Sequence, residues 1–303
     1  MTMALDLDRA TGLARAQRRA GGGAPLSPVH ATFGLRFTEV SEGAATVRCA
    51  LSPWLVDASG GIAVGIAAIV ADSALGTAVL TTMPAGRSAT TSQLRIDHLA
   101  PIMPLSGELH AVAHVEDLAS ASPLVTAEVR DDAGVRVASA SARCMAVRGH
   151  GELLEPMAPC GPTFTDPGGD EALAALRSGA DAAPLLRFIG ASITGDASAT
   201  VLRVPALPGF ANVFGGLQGG ALALLAQQAL ATMARSAAGP DAELVPVDLN
   251  VTYMRPALIG DAPFALRAHV VRNGGRVVDV ASEVHTVSGV VAVARASYLR
   301  IAR

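Results

Sequence analysis

One carboxylate is set apart by its surroundings. Asp72 lies inside GGIAVGIAAIVADSALGTAVLTTM (residues 60–83), a run with no other charged residue. A buried charge there costs free energy unless it is paired. Loss of water disfavours the ionised form and raises the pKa, which suits a general base. The structural alternative is a carboxylate capped by neighbouring hydroxyls such as Ser73 and Thr77. A second group of residues is Asn212 followed by Gly215, Gly216, Gln218, Gly219 and Gly220, which together open another apolar run. N–H groups at a helix start favour negative charge. The glycines could equally serve close helix packing, and Asn212 could simply turn the loop. His98, His114 and His269 fall on strand-like runs without ligand spacing, and Cys49, Cys144 and Cys160 are scattered without a CxxC pair. No metal site, disulfide framework, P-loop or GxGxxG phosphate motif is expected, so no cofactor is implied.

The elements around these residues are readable from periodicity. In the first half, Gly34–Leu51 predicts two strands turning at Ser41-Glu42-Gly43. Pro53–Gly61 is a loop, and a helix apolar nearly all round runs from Ile62 to about Thr82. Four strands follow at Ala89–Leu99, Gly107–Leu118, Ser122–Asp131 and Arg136–Val147, with a hairpin turn at Asp131-Asp132-Ala133-Gly134. The second half gives the same order. Strands lie in Phe188–Val204, a helix at Gly219–Ser236, and strands at Leu244–Met254, Ala262–Arg272, Arg276–Val287 and Val290–Ile301. Asn273-Gly274-Gly275 and Ser288-Gly289 mark its hairpin turns. An antiparallel sheet must curl round such a helix to bury it.

The 303 residues suffice for two domains, and half of them are hydrophobic while 16% are charged, which rules out a mainly disordered chain. A net charge of −3 and 3% aromatics argue against a nucleic-acid partner. The N-terminal segment is interrupted by charges and predicts a short amphipathic helix ending at Gly21-Gly22-Gly23, not a signal peptide. Residues 60–83 have the length of a membrane span, but the central Asp72 and the Gly/Ala composition favour a buried helix of a soluble fold. No membrane partner is expected, and a cytoplasmic location is.

The chain is read as a duplication. Shifted by 155, Pro53 meets Pro208, Gly60-Gly61 meets Gly215-Gly216, and Gly65 meets Gly220. Leu94 meets Leu249, Pro101 meets Pro256, Ala113-His114-Val115 meets Ala268-His269-Val270, and Gly134-Val135 meets Gly289-Val290. One offset is expected to hold without a gap from about residue 45 to 145. The predicted organisation is a domain over 1–148, a Gly/Pro-rich linker over 149–183, and a second domain over 184–303. Within the linker, Asp170–Ser178 predicts a helix with Asp170 as N-cap, its counterpart being the N-terminal helix.

The second half reads Asn212-Val-Phe-Gly215-Gly-Leu-Gln218-Gly219-Gly220, six residues, then Gln227, followed by Val247-Asp-Leu-Asn-Val-Thr-Tyr253-Met-Arg255-Pro256. This resembles hotdog-fold acyl-CoA thioesterases of the phenylacetate-pathway type. Their signature is N-x-x-G-x-x-H-G-G, six residues and Asp, then a strand similar to T-x-D-L-x-V-x-Y-x-R-P. The first half carries the frame as Asp57…Gly60-Gly-Ile-Ala63-Val64-Gly65, six residues, then Asp72, with the strand from Thr91 to Pro101. The resemblance implies an α+β double hotdog in which curled antiparallel sheets join edge to edge. Asp248 and Arg255 resemble family positions near the seam, where a structural role is expected.

The resemblance also implies how the chemistry divides. In the family, the Asp and a strand Thr or Ser come from one partner, and the Asn and Gly-rich loop from the other. Here the first half keeps Asp72 and Thr91, while its loop reads Ala63-Val64. The second half keeps Asn212, Gly219 and Gly220, with Gln227 at the carboxylate position and Pro246 at the Thr position. One crosswise site is therefore expected, from Asp72 and Thr91 with Asn212, Gln218 and Gly219. The other site, Gln227 with Ala63-Val64, lacks a base. Gln218 stands where His is usual; it can hydrogen-bond a carbonyl but cannot shuttle protons. Gly220, Ala68, Ala71 and Ala223, with Ala67 and Ala226, are expected to line the acyl group. The implied activity is acyl-CoA thioester hydrolysis, with acyl-CoA as partner and a homodimer of chains as the assembly. The alternatives are a non-catalytic acyl-CoA-binding or regulatory protein, and a hotdog hydratase, against which the lack of a loop His counts.

Overall fold

The computed structural model describes residues 10–24, 26–103, 107–118, 121–148, 164, 168–179, 183–196 and 198–301. Much of the Gly/Pro-rich connector, with Cys160, lies outside them.

Strands β1 (Arg36–Ser41) and β2 (Ala44–Ala50) form a hairpin; helix α3 (Ile66–Thr81) follows, then β3 (Arg87–His98), β4 (Glu108–Asp117), β5 (Leu124–Asp131) and β6 (Arg136–Arg148). Two shorter helices, α1 (Gly12–Ala20) and α2 (Pro28–Thr32), precede them. The second half repeats the order: α4 (Gly169–Arg177), α5 (Pro184–Phe188), β7 (Ser192–Gly195), β8 (Ala199–Val204), α6 (Gly219–Ala238), β9 (Glu243–Tyr253), β10 (Phe264–Asn273), β11 (Val277–Thr286) and β12 (Gly289–Ile301). All twelve strands lie in one open antiparallel sheet ordered β1-β2-β4-β5-β6-β3-β9-β12-β11-β10-β8-β7.

The seam is the β3–β9 pair. Arg95 stands opposite Asn250, its equivalent 155 residues on, while Leu94 faces Val251 and Ile96 faces Leu249, so the two halves meet across a local twofold axis at the Arg95–Asn250 pair. Each half-sheet wraps its own helix, α3 against β2 to β6 and α6 against β8 to β12. Every residue of α3 but Gly76 is buried. Burying a side chain such as Ile69 or Leu75 contributes about 1.5–3 kcal/mol, which explains why a Gly/Ala-rich helix with no polar face is stable here. No helix among the described residues is long and apolar enough to cross a membrane.

The two helices cross through glycine. A Cβ on Gly220 would lie 2.3 Å from the Ala68 carbonyl oxygen and 2.7 Å from the Ile69 Cα. The matching Gly65 would meet the Leu224 Cδ1 at 2.8 Å and its Cα at 3.0 Å. No residue with a side chain fits between these backbones without pushing them apart.

Several expectations need correction. Helix α3 begins at Ile66, not Ile62, because Ile62 pairs with Val56 and closes the preceding loop. Phe188 ends α5 and does not begin a strand; it packs on Trp54 of the first half. Asp170 is not an N-cap: α4 starts at Gly169 after Gly168, whose φ of +103° suits glycine. The counterpart expected for α4 sits elsewhere, since α1 packs on β1 and α3 whereas α4 packs on the 3-10 turn Pro53–Leu55.

The single offset also fails past the last hairpin. Ala140 pairs with Ile96, while Ala294 pairs with the equivalent Val251. Beyond the β11–β12 turn the halves therefore match at a shift of 154. The first half turns through residues between Asp131 and Val135, the second more tightly between Thr286 and Gly289. A one-residue change in an exposed turn leaves the strands in register, because the buried face fixes their pairing.

Candidate active site

Asp72 lies halfway along α3 and is 6% exposed. Three donors from two elements converge on its carboxylate. Thr91 on β3 donates to Oδ1 at 2.8 Å. The Gln218 amide donates to Oδ2 at 2.6 Å, and the Gly220 N–H donates to the same oxygen at 2.9 Å. Burial pushes the Asp72 pKa above the ordinary carboxylate range, and the bonds from Gly220, Thr91 and Gln218 pull against it. Thr91 reaches the carboxylate from the bulge between Thr91 and Gln93, where β3 slips one residue against β6.

Gln218 works at both ends. It is the N-cap of α6, where its Oε1 accepts from the Ala221 N–H at 2.7 Å while its Nε2 holds Asp72. An N-cap acceptor satisfies one of the N–H groups that a helix start leaves open. The same amide reaches the Ser73 hydroxyl at 3.4 Å.

Gly219 is the first residue of α6, and its N–H has no partner among the described residues. A Cβ there would stand 3.0 Å and 3.3 Å from the two Asp72 oxygens. The carboxylate of the first half and the open helix start of the second half are thus in contact. Asp72, Thr91, Gln218, Gly219 and Gly220 are brought together. The Gly220 N–H is occupied by Asp72 and is not open to a ligand.

Asn212 bonds within its own loop, its Oδ1 accepting from Phe214 N at 2.8 Å and Gly216 N at 3.3 Å. Asp57 does the same in the first half, accepting from Ser59 N at 2.8 Å, so both loops use the Asx turn that short polar side chains form. Ala67, Ala68, Ala71, Ala223 and Ala226 are buried, and Ala68 packs directly on Gly220 at the helix crossing.

The structure adds two residues to this neighbourhood. The Tyr253 hydroxyl donates to the Gly219 carbonyl at 2.7 Å. Cys144 on β6 is opposite Thr91 and bonds it; burial pushes its thiol up to about 12, helped by the Asp72 charge. Tyr253 was legible as the next inward residue after Leu249 and Val251 on β9. The place of Cys144 was hidden by the slipped offset: its structural equivalent is Tyr298, which pairs with Pro246.

The opposite crosswise position is built differently. Gln227 replaces the carboxylate and lies against Gly65, a Cβ there falling 3.3 Å from its Oε1. Its side chain bonds the amide of Gln228 at 2.7 Å and the hydroxyl of Tyr298. Tyr298 is 4% exposed and occupies the place that Cys144 holds beside Asp72.

One hydrogen-bonded sheet holds two α-helices, each wrapped by five or six strands. This is a double hotdog. Residues 214–293 match the family described as the thioesterase superfamily. Residues 23–146 match a domain of unknown function, DUF4442. Among solved structures, the double hotdog is similar to acyl-CoA thioesterase II TesB2 from Mycobacterium marinum, with 15% identity, a TM-score of 0.60, and coverage of 91% of this chain and 98% of that one. It is also similar to the tesB protein of Mycobacterium avium subs paratuberculosis, with 14% identity, a TM-score of 0.61, and coverage of 92% and 100%. A hot dog fold protein of unknown function from Alicyclobacillus acidocaldarius aligns with 15% identity, a TM-score of 0.59, and coverage of 88% and 96%. At these identities the likeness is one of fold. No curated protein matches the sequence.

Proposed function

We propose that the protein hydrolyses an acyl-CoA thioester to a free acid and CoA at one composite site per chain. The carrying observation is the contact between the Asp72 carboxylate and the helix start at Gly219, whose N–H is open. Hydrolysis needs a base or nucleophile beside a donor for the oxyanion. In this reading the thioester oxygen lies on the Gly219 N–H. Asp72 takes a proton from water as the water oxygen bonds to the carbonyl carbon. The tetrahedral intermediate then collapses, the C–S bond breaks, and the thiolate recovers the proton from the Asp72 carboxyl. Direct attack by Asp72, through an anhydride that water then opens, uses the same residues. Thr91 and Gln218 hold the carboxylate in place for either route. Asn212 shapes the loop that leads into α6.

The Mycobacterium marinum structure named as an acyl-CoA thioesterase and the thioesterase-superfamily match over residues 214–293 support this substrate class. A second reading, non-catalytic acyl-CoA binding, is favoured by the three donors that already occupy Asp72. A panel of acyl-CoAs assayed with wild type and Asp72→Asn decides between them. Catalysis requires wild-type turnover that the variant loses while it still binds; binding without turnover by both proteins supports the second reading. Single turnover in ¹⁸O water separates the two routes, since only direct attack puts label into Asp72.

A further inference from the structure

We propose that Tyr253 is a positioning residue for Asp72, acting through the Gly219–Gly220 peptide: its hydroxyl binds the Gly219 carbonyl, and the N–H of that same peptide grips the carboxylate. The geometry is a short chain of donors and acceptors. Tyr253 Oη donates to the Gly219 oxygen at 2.7 Å, and Gly220 N donates to Asp72 Oδ2 at 2.9 Å. Carbonyl and N–H belong to one planar unit, so a donor on the oxygen fixes the direction of the N–H and polarises it. Hydrogen bonds linked in this way strengthen one another. The chain runs across the two halves, from β9 of the second through α6 to α3 of the first. Its asymmetry follows that of the site, because the residue equivalent to Tyr253 in the first half is His98 and the equivalent of Asp72 in the second is Gln227.

This inference deepens the hydrolase reading and rests on it for its consequence, while the linkage itself is measurable without activity. The groups facing Asp72 are Thr91 from β3, Cys144 from β6, Gln218 and the Gly219–Gly220 peptide from α6, Tyr253 from β9, and Ser73 beside Gln218 on α3. Of these, Cys144 and Tyr253 titrate, and burial with the Asp72 charge holds both protonated, Cys144 up to about 12 and Tyr253 well above its usual value. Asp72, raised by burial from the ordinary carboxylate range, is the group among them that changes charge while the thiol and the phenol stay protonated. A weaker Gly220 donor destabilises its ionised form.

The test is the carboxyl titration of Asp72 in the full chain, followed by carbon NMR with labelled aspartate and assigned by its absence in Asp72→Asn. Tyr253→Phe keeps the ring and removes the donor, and its Asp72 midpoint is expected to rise by about half a pH unit. Fluorotyrosine incorporation makes a stronger donor of Tyr253 without deleting a contact and is expected to lower the midpoint, so a result is obtained even if Tyr253→Phe does not fold. The chain has two tyrosines, and the other, Tyr298, bonds Gln227. Under the hydrolase reading, the acid limb of kcat/KM moves with the carboxyl in both cases. An unmoved carboxyl midpoint in the folded variant or in the fluorinated protein overturns the proposal, even if activity falls. Absence of wild-type turnover overturns the hydrolase reading and leaves the titration to decide the linkage.

Discussion

Thr91 and Pro246 occupy the same place beside the same bulge in the two halves of the sheet, and Thr91 alone carries a hydroxyl to offer. The slip falls between Thr91 and Gln93 on β3 and between Pro246 and Asp248 on β9. Proline is tolerated at a bulge, where a ladder hydrogen bond is already missing. The backbone feature that aims the hydroxyl at Asp72 thus persists in the second half after the hydroxyl has gone. Thr91→Val keeps the shape and removes the donor to Oδ1, so the acid limb of kcat/KM is expected to move up and its plateau to fall about tenfold. Thr91→Ser retains both. A pH series on the two variants checks this, and equal losses in both would assign Thr91 to packing.

Asp72 ties activity and stability to pH in opposite senses. Its raised pKa means that the folded chain holds this proton more tightly than the unfolded chain. The stabilising contribution is therefore full below the ordinary carboxylate range and is lost as pH rises through the elevated value, while activity appears over the same interval. Asp72→Asn is expected to lower kcat by about 10²–10⁴-fold. Relative to wild type, it should gain stability as pH rises, in urea titrations from about pH 4 to about pH 8. A stability difference that stays constant across that range would mean that folding leaves the Asp72 pKa where it was.

Gly219 and Gly220 are neighbours with different obligations. A Cβ on Gly220 meets backbone of α3, which cannot yield as a side chain does, so Gly220→Ala is expected to cost about 1–3 kcal/mol of stability. A Cβ on Gly219 meets the Asp72 carboxylate at 3.0 Å and leaves the helix crossing alone. Gly219→Ala is expected to lose most of kcat with a smaller change in stability. Denaturant melts and turnover, measured on both variants, should rank them in opposite orders.

The duplication, the buried helices and the crosswise contact of Asp72 with the start of α6 were legible because each is written in local pattern. The 155 shift brings Arg95 opposite Asn250, and the charge of Asp72 within an apolar Gly/Ala-rich run favoured a wrapped helix over a membrane span. The short helices α2 and α5 were missed because they are held by the other half's 3-10 turns, Pro208–Phe210 and Pro53–Leu55, and not by their own periodicity. Cys144 was missed because a shortened turn displaced its equivalent by one residue. Gln218 was read as a weakened His, yet its amide combines two jobs, capping a helix and gripping a carboxylate, in one side chain.

That double role predicts a sharp response to charge at position 218. Gln218→Glu keeps an acceptor for the Ala221 N–H and suits the positive end of the helix. It also places a second carboxylate where an amide donor now lies 2.6 Å from Asp72. Two carboxylates at that distance share a proton. The variant is expected to fold, to show its acid limb displaced upward, and to be nearly inactive below it; an unshifted pH profile would place Gln218 outside the Asp72 site.

A carboxylate alone should not restore the opposite position. Gln227→Asp would face Val64 and Gly65 in place of the Gly219-Gly220 turn, with Pro246 in place of Thr91 and Tyr298 filling the place of Cys144. Two of the donors that hold Asp72, the Thr91 hydroxyl and the Gln218 amide, would have no counterparts, since Pro246 and Ala63 stand in their places, and a buried charge that loses partners costs about 3–5 kcal/mol. The variant is expected to lose stability and gain no turnover. A non-hydrolysable acyl-CoA titrated calorimetrically into wild type should bind with one ligand per chain, because Gln227 and Tyr298 occupy the second position. Two equivalent ligands per chain, or added turnover in Gln227→Asp, would show that the second hotdog retains a working site.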